Sequence, residues 1–229
     1  MKKEAGTFFR RAHWEQVWRT KAPEQVSWYQ PEPTASLELI EAAGIAKDAG
    51  IIDVGGGASV LVDRLLDRGY TGLAVLDIAG GAMLASRERL GARASSVEWH
   101  EADVTSFEPP RRYGLWHDRA VFHFLTETAD RRAYVATLRK SLKPGGTVVI
   151  AAFAPDGPPK CSGLDVMRHD ESSIGTELGA GFRLEEARRE THRTPWQAEQ
   201  RFIYCRFRAA PFGQGLASAV IGKRPEMAK

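Results

Sequence analysis

The sequence has 229 residues, the length of a single domain or of a domain with a modest extension. Its composition is globular, with 43% hydrophobic and 27% charged residues, and a chain of this length can bury a sufficient core without a metal or a disulfide. The net charge of +3 does not provide the clustered basic surface of a nucleic-acid-binding protein. Cys161 and Cys205 form neither a CxxC pair nor a zinc-ligand set, which indicates a reducing compartment and no metal site.

Targeting and membrane signals are missing from the sequence. The charged first residues lead into His13, Trp14 and Glu15 rather than into an apolar signal segment. The longest apolar run, residues 148–154, is far shorter than the ~20 residues that a membrane helix needs. We therefore expect a soluble, cytoplasmic protein without a membrane partner.

The first 33 residues differ from the rest of the chain because they are rich in aromatic residues. Trp14, Val17 and Trp18 have the spacing of one helix face, in a short helix that ends before Pro23. Trp28 and Tyr29 follow. We interpret residues 1–33 as an aromatic N-terminal lid segment and residues 34–229 as the main domain.

Helical and strand patterns alternate from residue 34 onward. Short apolar runs that predict buried strands are centred on residues 50–54, 72–77, 97–102, 113–118 and 147–153, with helical spacing between them. Two further strand patterns, 182–191 and 200–208, are separated by too few residues for a helical crossover and should pair antiparallel. The predicted fold is α/β, a Rossmann-like seven-stranded, mostly parallel sheet with a C-terminal antiparallel hairpin and helices on both faces.

A glycine-rich turn follows the first predicted strand. Gly55, Gly56 and Gly57 would let the backbone approach a ligand and present amide groups at a helix N-terminus, although a tight structural turn has the same pattern. The third glycine of a dinucleotide fingerprint is replaced by Val60. Asp53 before the turn would repel a pyrophosphate and could attract an ammonium group.

Each of the first four predicted strands ends in an aspartate. Asp77 stands where an acidic residue hydrogen-bonds ribose hydroxyls, or where it caps a helix. Asp103 could accept from an adenine amino group, with Val104 next to it, and Asp118 ends the fourth strand. Four such residues at the ligand-binding edge of an open α/β sheet predict a nucleoside site there.

These motifs together resemble the class I S-adenosylmethionine-dependent methyltransferases. The matching segments are 53–57, 76–78, 101–104, 116–120 and 142–146. The resemblance implies that Asp53 and the glycine turn hold the methionine end of S-adenosyl-L-methionine, Asp77 the ribose, and Asp103 with Val104 the adenine. We also assign Trp28, Ile78 and Asp118 to the cofactor site.

The N-terminal aromatic segment is similar to a smaller branch of this family. That branch includes lysine methyltransferases of citrate synthase and of a translation elongation factor, which implies a protein acceptor. The motif after the fourth strand, residues 118–121, lacks the Asn/Asp-Pro-Pro-Tyr/Phe pattern seen where nucleobase or amide nitrogens are methylated. This departure argues against DNA-adenine and amide methylation.

Candidates for the acceptor site are Trp14, Tyr29, Arg119 and Cys161. His117 and His123 are both near the predicted carboxyl edge, and we take His123 as the candidate general base because histidine titrates near neutral pH. A packing role for His123, between two phenylalanines, is the alternative. Three functions remain open: methyl transfer to a small molecule through S, N or O, protein-lysine methylation, and cofactor binding without catalysis. The basic character of residues 1–33 favours the small molecule. The oligomeric state and the acceptor atom stay open.

Overall fold

The computed structural model describes residues 2–211, with side chains from residue 6 onward. Helix α1 (Lys2–Thr20) and a 3-10 turn (Pro23–Gln25) make up most of the N-terminal segment. The helix extends well beyond the short turn that the tryptophan spacing predicts. Thr7 and Arg10, in the part of the helix before Trp14, make polar contacts to a distant part of the chain that are described below.

Strands and helices alternate in the order that the sequence predicts. They are, with their bounds, α2 (Thr34–Ala42), β1 (Ile51–Val54), α3 (Leu61–Asp67), β2 (Leu73–Asp77), α4 (Gly80–Leu90), β3 (Val97–Glu101), β4 (Tyr113–Arg119), α5 (Thr128–Ser141), β5 (Leu142–Phe153), β6 (Lys160–Cys161), β7 (Leu164–Asp165), α6 (Glu171–Leu178), β8 (Phe182–Arg193) and β9 (Glu199–Ala209). Further 3-10 turns span Gly91–Ser96 and Phe122–Phe124.

Seven strands form one sheet in the order β3-β2-β1-β4-β5-β9-β8. The first five are parallel, whereas β9 pairs antiparallel with both β5 and β8. The predicted Rossmann-like sheet with a C-terminal antiparallel hairpin is confirmed. The strand order reverses at β1: the chain runs outward from β1 through β2 to β3 at the sheet edge, and then returns to place β4 on the other side of β1. In open α/β sheets a ligand-binding crevice forms at such a point, here between the carboxyl ends of β1 and β4.

The sheet is covered on both faces, and adjacent strand residues point to opposite sides. Ile51 packs with α2, α3 and α4, while its neighbour Ile52 packs with α5 and α6. Tyr134 and Leu138 of α5 are fully buried against the second face, as their spacing predicts. Burial on both faces explains why these strands are continuous apolar runs rather than alternating ones.

Two local features differ from the prediction. Strand β5 begins at Leu142, which pairs with Tyr113, and the register then shifts so that Leu115 pairs with Thr147. The strand thus begins five residues before the predicted 147–153, and residues 144–146 form an irregularity within it. The loop after β5 contains the small β6–β7 hairpin. Within residues 2–211, no helix is long and apolar enough to cross a membrane.

Candidate active site

A cleft opens at the carboxyl ends of the parallel strands, beneath α1. It contains about 820 Å³ of empty space, including the part open to solvent, and a smaller recess of about 600 Å³ adjoins it. Volumes of this order suit a cofactor or a small organic ligand. Of the predicted site residues, the main cleft is lined by Trp14, Trp28, Gly55, Asp77, Ile78, Asp103, Val104, Arg119 and Cys161, and the recess by Trp28, Tyr29, Asp53, Gly55, Gly56 and Arg119.

The glycine turn leaves no space for side chains. Gly55 has φ +67° and its amide donates to the Leu76 carbonyl at 2.6 Å, while a Cβ on Gly55 would overlap the Val121 side chain. A Cβ on Gly57 would lie 2.7 Å from Asp77 Oδ2. The backbone therefore runs directly against the cleft and its carboxylate, which is the close approach that the glycine pattern predicts.

Asp53 is buried and hydrogen-bonded to a histidine on β4, the strand that neighbours β1 in the sheet. Asp53 and His117 are paired residues of β1 and β4, and Nδ1 of His117 donates to Asp53 Oδ1 at 2.7 Å. The other ring nitrogen, Nε2, lies 2.9 Å from Ser36 Oγ in α2. This chain of three buried groups fixes the direction of the Asp53 carboxyl group and leaves Oδ2 facing the glycine turn.

Asp77 stands at the end of β2 and lines the main cleft. Its Oδ1 accepts from the Ala79 amide at 2.8 Å. Burial raises the pKa of Asp77 to about 7, and the negative charges of Asp53 and Glu15 also raise it. Near neutral pH this carboxyl group can thus accept hydrogen bonds from hydroxyl groups, although burial makes its ionised form less favourable than in water.

Helix α1 engages the next aspartate, Asp103, directly. Asp103 Oδ2 accepts from Arg10 Nη2 at 2.8 Å and from Thr7 Oγ1 at 2.9 Å, and its Oδ1 accepts from the Thr105 amide at 2.8 Å. Burial opposes ionisation, but the hydrogen bonds from Arg10 and Thr105 outweigh it and hold the pKa of Asp103 below its ordinary value. Arg10 also pairs with Asp130 at 2.8 Å. Both oxygens of Asp103 are engaged in this conformation, so its predicted contact with adenine would add to, or replace, the contacts from α1.

Aromatic rings form one wall of the same cleft. Trp14 meets Trp28 and Phe124 edge to face, with ring centroids 5.7 and 5.0 Å apart, and Trp18 meets Trp28 at 6.1 Å. Because Trp14 and Trp18 belong to α1, the helix brings this wall over the cleft. A second α1 contact, from the Gly80 amide to Glu15 Oε1 at 2.8 Å, joins the helix to the start of α4.

Arg119 and Cys161 complete the aromatic side of the cleft. The Arg119 guanidinium donates to Tyr204 through Nε at 2.8 Å and to the Trp28 carbonyl through Nη1 at 3.0 Å, and it stacks 4.6 Å from the Phe202 ring. Cys161 is buried, and burial raises the pKa of its thiol to about 11. The thiol is therefore protonated at neutral pH and contributes an apolar surface rather than a nucleophile.

Three predicted site residues do not line the cleft or the recess, namely Gly57 of the glycine turn, Asp118 and His123. Asp118 is fully buried, where its carboxyl group accepts from Tyr134 Oη at 2.7 Å and from the amides of Val121 and Phe122. These contacts fix the turn after β4 and support the cleft from below. The predicted contact between Asp118 and the cofactor has no counterpart in this geometry.

His123 is also fully buried, and the geometry argues against the base that the sequence suggests. Its Nδ1 accepts from the Phe153 amide at 3.3 Å, so Nε2 carries the proton of the neutral ring, and Nε2 is buried without a partner among the described residues. Burial lowers the pKa of His123 to about 3. Neither nitrogen can accept a proton from a group in the cleft without a rearrangement. The ring contacts Phe124 and Phe153, as in the packing alternative.

Sequence reasoning missed Arg10 and Glu15, the residues of α1 that contact Asp103 and the start of α4. His117 was a candidate from the sequence, but as a base near the carboxyl edge. In the fold it instead orients Asp53 from the paired position on β4. Arg10 gave no signal in the sequence, since its partner Asp103 is 93 residues away.

The fold and the site define a class of protein: an α/β sheet of this order with an acidic cleft at its carboxyl edge is the arrangement of class I S-adenosylmethionine-dependent methyltransferases. Residues 52–148 match the family model described as a methyltransferase domain. No curated protein matches the sequence. Residues 52–148 thus carry a methyltransferase domain, which confirms the family resemblance predicted from the motifs, and this domain implies S-adenosylmethionine as cofactor.

Several solved structures share the fold at low sequence identity. The N-methyltransferase NodS from Bradyrhizobium japonicum WM9, in complex with S-adenosyl-L-homocysteine, is 18% identical with a TM-score of 0.68 over 85% of this chain and 97% of NodS. The 1,6-didemethyltoxoflavin-N1-methyltransferase of Burkholderia thailandensis is 18% identical with a TM-score of 0.67 over 91% and 90%. A structure from work on the conversion of a disulfide bond into a thioacetal group in echinomycin biosynthesis is 18% identical with a TM-score of 0.70 over 88% and 92%. These likenesses concern the fold, and the similarity to the lysine methyltransferase branch stays a prediction.

Proposed function

We propose that the protein transfers the methyl group of S-adenosylmethionine to a small-molecule nucleophile. The observation that carries the proposal is the convergence of the glycine turn, the acidic edge and the tryptophan wall on one cleft that α1 covers. Among the structural neighbours, one is by its description a methyltransferase of 1,6-didemethyltoxoflavin, a small molecule. Nothing in the cleft requires a macromolecular acceptor.

The residues present fit this cofactor at its polar ends. Asp77 lines the cleft with Oδ2 facing the glycine turn, and this carboxyl group would accept from the ribose hydroxyls. Asp53 would attract the ammonium group through its remaining oxygen. Asp103 and Val104 line the same cleft and would hold the adenine, with Ile78 and Trp28 as apolar walls.

The bound cofactor would supply an electrophilic methyl group on a sulfonium sulfur. The acceptor would attack the methyl carbon in line with the sulfur, which would leave as a thioether. The chain contributes position and a dry environment rather than a proton acceptor. The aromatic side of the cleft would exclude water and so desolvate the nucleophile, through Trp14, Trp28 and Phe124. Trp14 is held over the cleft because Arg10 and Glu15 fix α1. Because His123 is unsuited to act as a base in this geometry, we expect acceptors that react without a protein base, such as a thiolate or a neutral amine.

A pair of glycine variants tests the cofactor site. Gly55→Ala would place a methyl group against Val121 at the cleft and strain a backbone at φ +67°. Gly69→Ala imposes the same kind of strain at φ +75°, but with nothing within 4 Å of the added carbon, and is the matched control. Calorimetry should show S-adenosylmethionine binding to the wild type and to Gly69→Ala, and at least about tenfold weaker binding to Gly55→Ala, provided that both variants retain cooperative melting.

Turnover is measured by S-adenosylhomocysteine release with thiols, amines, phenols and metalloid oxyanions, beside a proteome extract. Release with a small molecule supports the proposal. Release only with the extract, into a lysine side chain, would establish the alternative of a protein-lysine N-methyltransferase. Cofactor binding with no release from any acceptor would leave the third function, a cofactor-binding domain without catalysis.

A further inference from the structure

Arg119 differs from the other cleft-lining arginine in its partners. Arg10 pairs with two carboxylates, Asp103 and Asp130. No ion pair among the described residues includes Arg119, and its Nη2 is buried without a hydrogen-bond partner there. A buried guanidinium nitrogen with an unmade hydrogen bond carries a free-energy cost that an incoming acceptor atom can remove.

The surrounding protein holds this guanidinium in one orientation. Tyr204 accepts from Nε, the Trp28 carbonyl accepts from Nη1, and the Phe202 ring packs against the guanidinium plane. The ligand therefore meets a preorganised donor and little side-chain entropy is lost on binding. Neutral groups hold the guanidinium, so its positive charge is not compensated at the cleft.

The acidic groups near Arg119 do not fill this vacancy. Glu190 also interacts with Tyr204, but no ion pair among the described residues joins it to Arg119, and its Oε2 is buried without a hydrogen-bond partner there. His192 donates from Nε2 to the Ser27 carbonyl at 2.7 Å, and burial lowers the pKa of the ring. The carboxylates that line the main cleft, Asp77 and Asp103, lie at its acidic edge.

We propose that the methyl acceptor carries a carboxylate or another oxyanion, and that Arg119 binds this group at the aromatic side of the cleft. This inference rests on the proposed function and specifies its substrate class. The tryptophan wall suits a flat apolar body, and the unused Nη2 of the charged guanidinium suits an anionic oxygen. The same charge would repel the ammonium group of a lysine side chain, so the proposal also opposes the protein-lysine alternative.

Three probes with one ring and different head groups test the charge preference on the wild-type protein. Benzoate, benzyl alcohol and benzylamine are titrated into the full chain saturated with S-adenosylhomocysteine, and binding is followed by tryptophan fluorescence, since Trp14, Trp18 and Trp28 line the cleft. We expect benzoate to bind about tenfold or more tightly than benzyl alcohol, the effect of one charge-assisted hydrogen bond. Benzylamine should bind most weakly.

Variants then assign the preference to the residue. Arg119→Gln should abolish the benzoate preference, and Arg119→Lys should keep part of it. Arg139→Gln is the matched control, because Arg139 also stacks on an aromatic ring, that of Phe182, donates to the Leu178 carbonyl and lies outside the cleft. Arg139→Gln should bind benzoate as the wild type does.

The outcomes separate this inference from the proposed function. If the wild type does not bind S-adenosylhomocysteine in calorimetry, the proposed function fails. If it does but benzoate gains nothing over the alcohol, if benzylamine binds best, or if Arg119→Gln keeps the preference, the anion site is refuted. Should Arg119→Gln not fold, the comparison of the three probes on wild-type protein still decides the charge preference.

Discussion

The replacement Asp77→Asn should raise the stability of the cofactor-free protein at pH 8. Asp77 has a pKa of about 7 in the fold against an ordinary value of 3.8, so the folded protein holds this proton more tightly than the unfolded chain. Wild-type stability must then fall as the pH rises from about 4 to about 7. Each pH unit between the two pKa values corresponds to ~1.4 kcal/mol, which sets an upper bound of about 4 kcal/mol. Solvent in the cleft screens the charge, and we expect a gain of about 2 kcal/mol.

The same substitution should weaken cofactor binding. Hydrogen bonds from ribose hydroxyls to an ionised carboxylate are worth ~1.5–3 kcal/mol, so at pH 8 the affinity of Asp77→Asn for S-adenosylhomocysteine should fall about 10- to 100-fold. Wild-type affinity should rise from pH 6 to pH 8 as Asp77 ionises, whereas the affinity of the variant should not. Stability and affinity are thus expected to change in opposite directions at one residue.

Urea unfolding and calorimetry at pH 4, 6 and 8 measure both effects. Asp67→Asn is the control, because Asp67 is exposed on α3 and its hydrogen bond with Arg93 lowers its pKa. It should gain no stability at pH 8. Parallel pH profiles for wild type and Asp77→Asn would refute the raised pKa, and unchanged affinity at pH 8 would refute the ribose contact.

Three further predictions concern the supports of the cleft. Tyr134→Phe removes the hydroxyl donor to Asp118, whose pKa is raised by burial to about 6. Urea unfolding should therefore show a loss of about 1–3 kcal/mol in the free energy of unfolding at pH 8, and this loss should shrink below pH 6, where Asp118 is protonated. An equal loss at both pH values would contradict this prediction. Arg10→Met should destabilise the protein by about 1.5–3 kcal/mol at pH 7 and speed proteolysis within α1. Because the pKa of Asp103 is held low, this loss of stability should disappear only as the pH falls below the ordinary carboxyl range. Unchanged resistance to trypsin would contradict an anchoring role of Arg10. Cys161, with a pKa of about 11, should react with iodoacetamide at pH 8 about 100-fold more slowly than a free thiol, as followed by mass spectrometry, and rapid labelling would show that it is not buried as described.

Local patterns in the sequence predicted the sheet because burial constrains each element separately. Residues 50–54 and 72–77 are apolar runs bounded by glycine, and strands buried on both faces can have no other pattern. The short spacer between the last two strands forced the antiparallel hairpin. Asp77 could be placed at the cleft from its position at the end of a strand alone.

Side-chain contacts between distant segments were beyond the reach of these patterns. Asp53 and Asp118 follow the same rule as Asp77, yet Asp53 is bound by His117, and Asp118 lies below the cleft with Tyr134 as its partner. The sequence indicated that His123 is near the carboxyl edge, but whether its ring faces the cleft or the core depends on the direction of one side chain. In the fold, that ring turns into the core and accepts from a backbone amide of β5.

By itself the sequence determined the α/β architecture, because periodicity and strand-end residues depend only on near neighbours along the chain, and its motifs carried the resemblance to class I methyltransferases. The tertiary structure alone decided that α1 would cover the cleft, with Arg10 on Asp103 and the tryptophans as its wall. It also decided that Arg119 would be held by neutral groups with one donor unused. Both arrangements depend on which remote side chains meet, and burial makes the free energy of those contacts large enough to fix them.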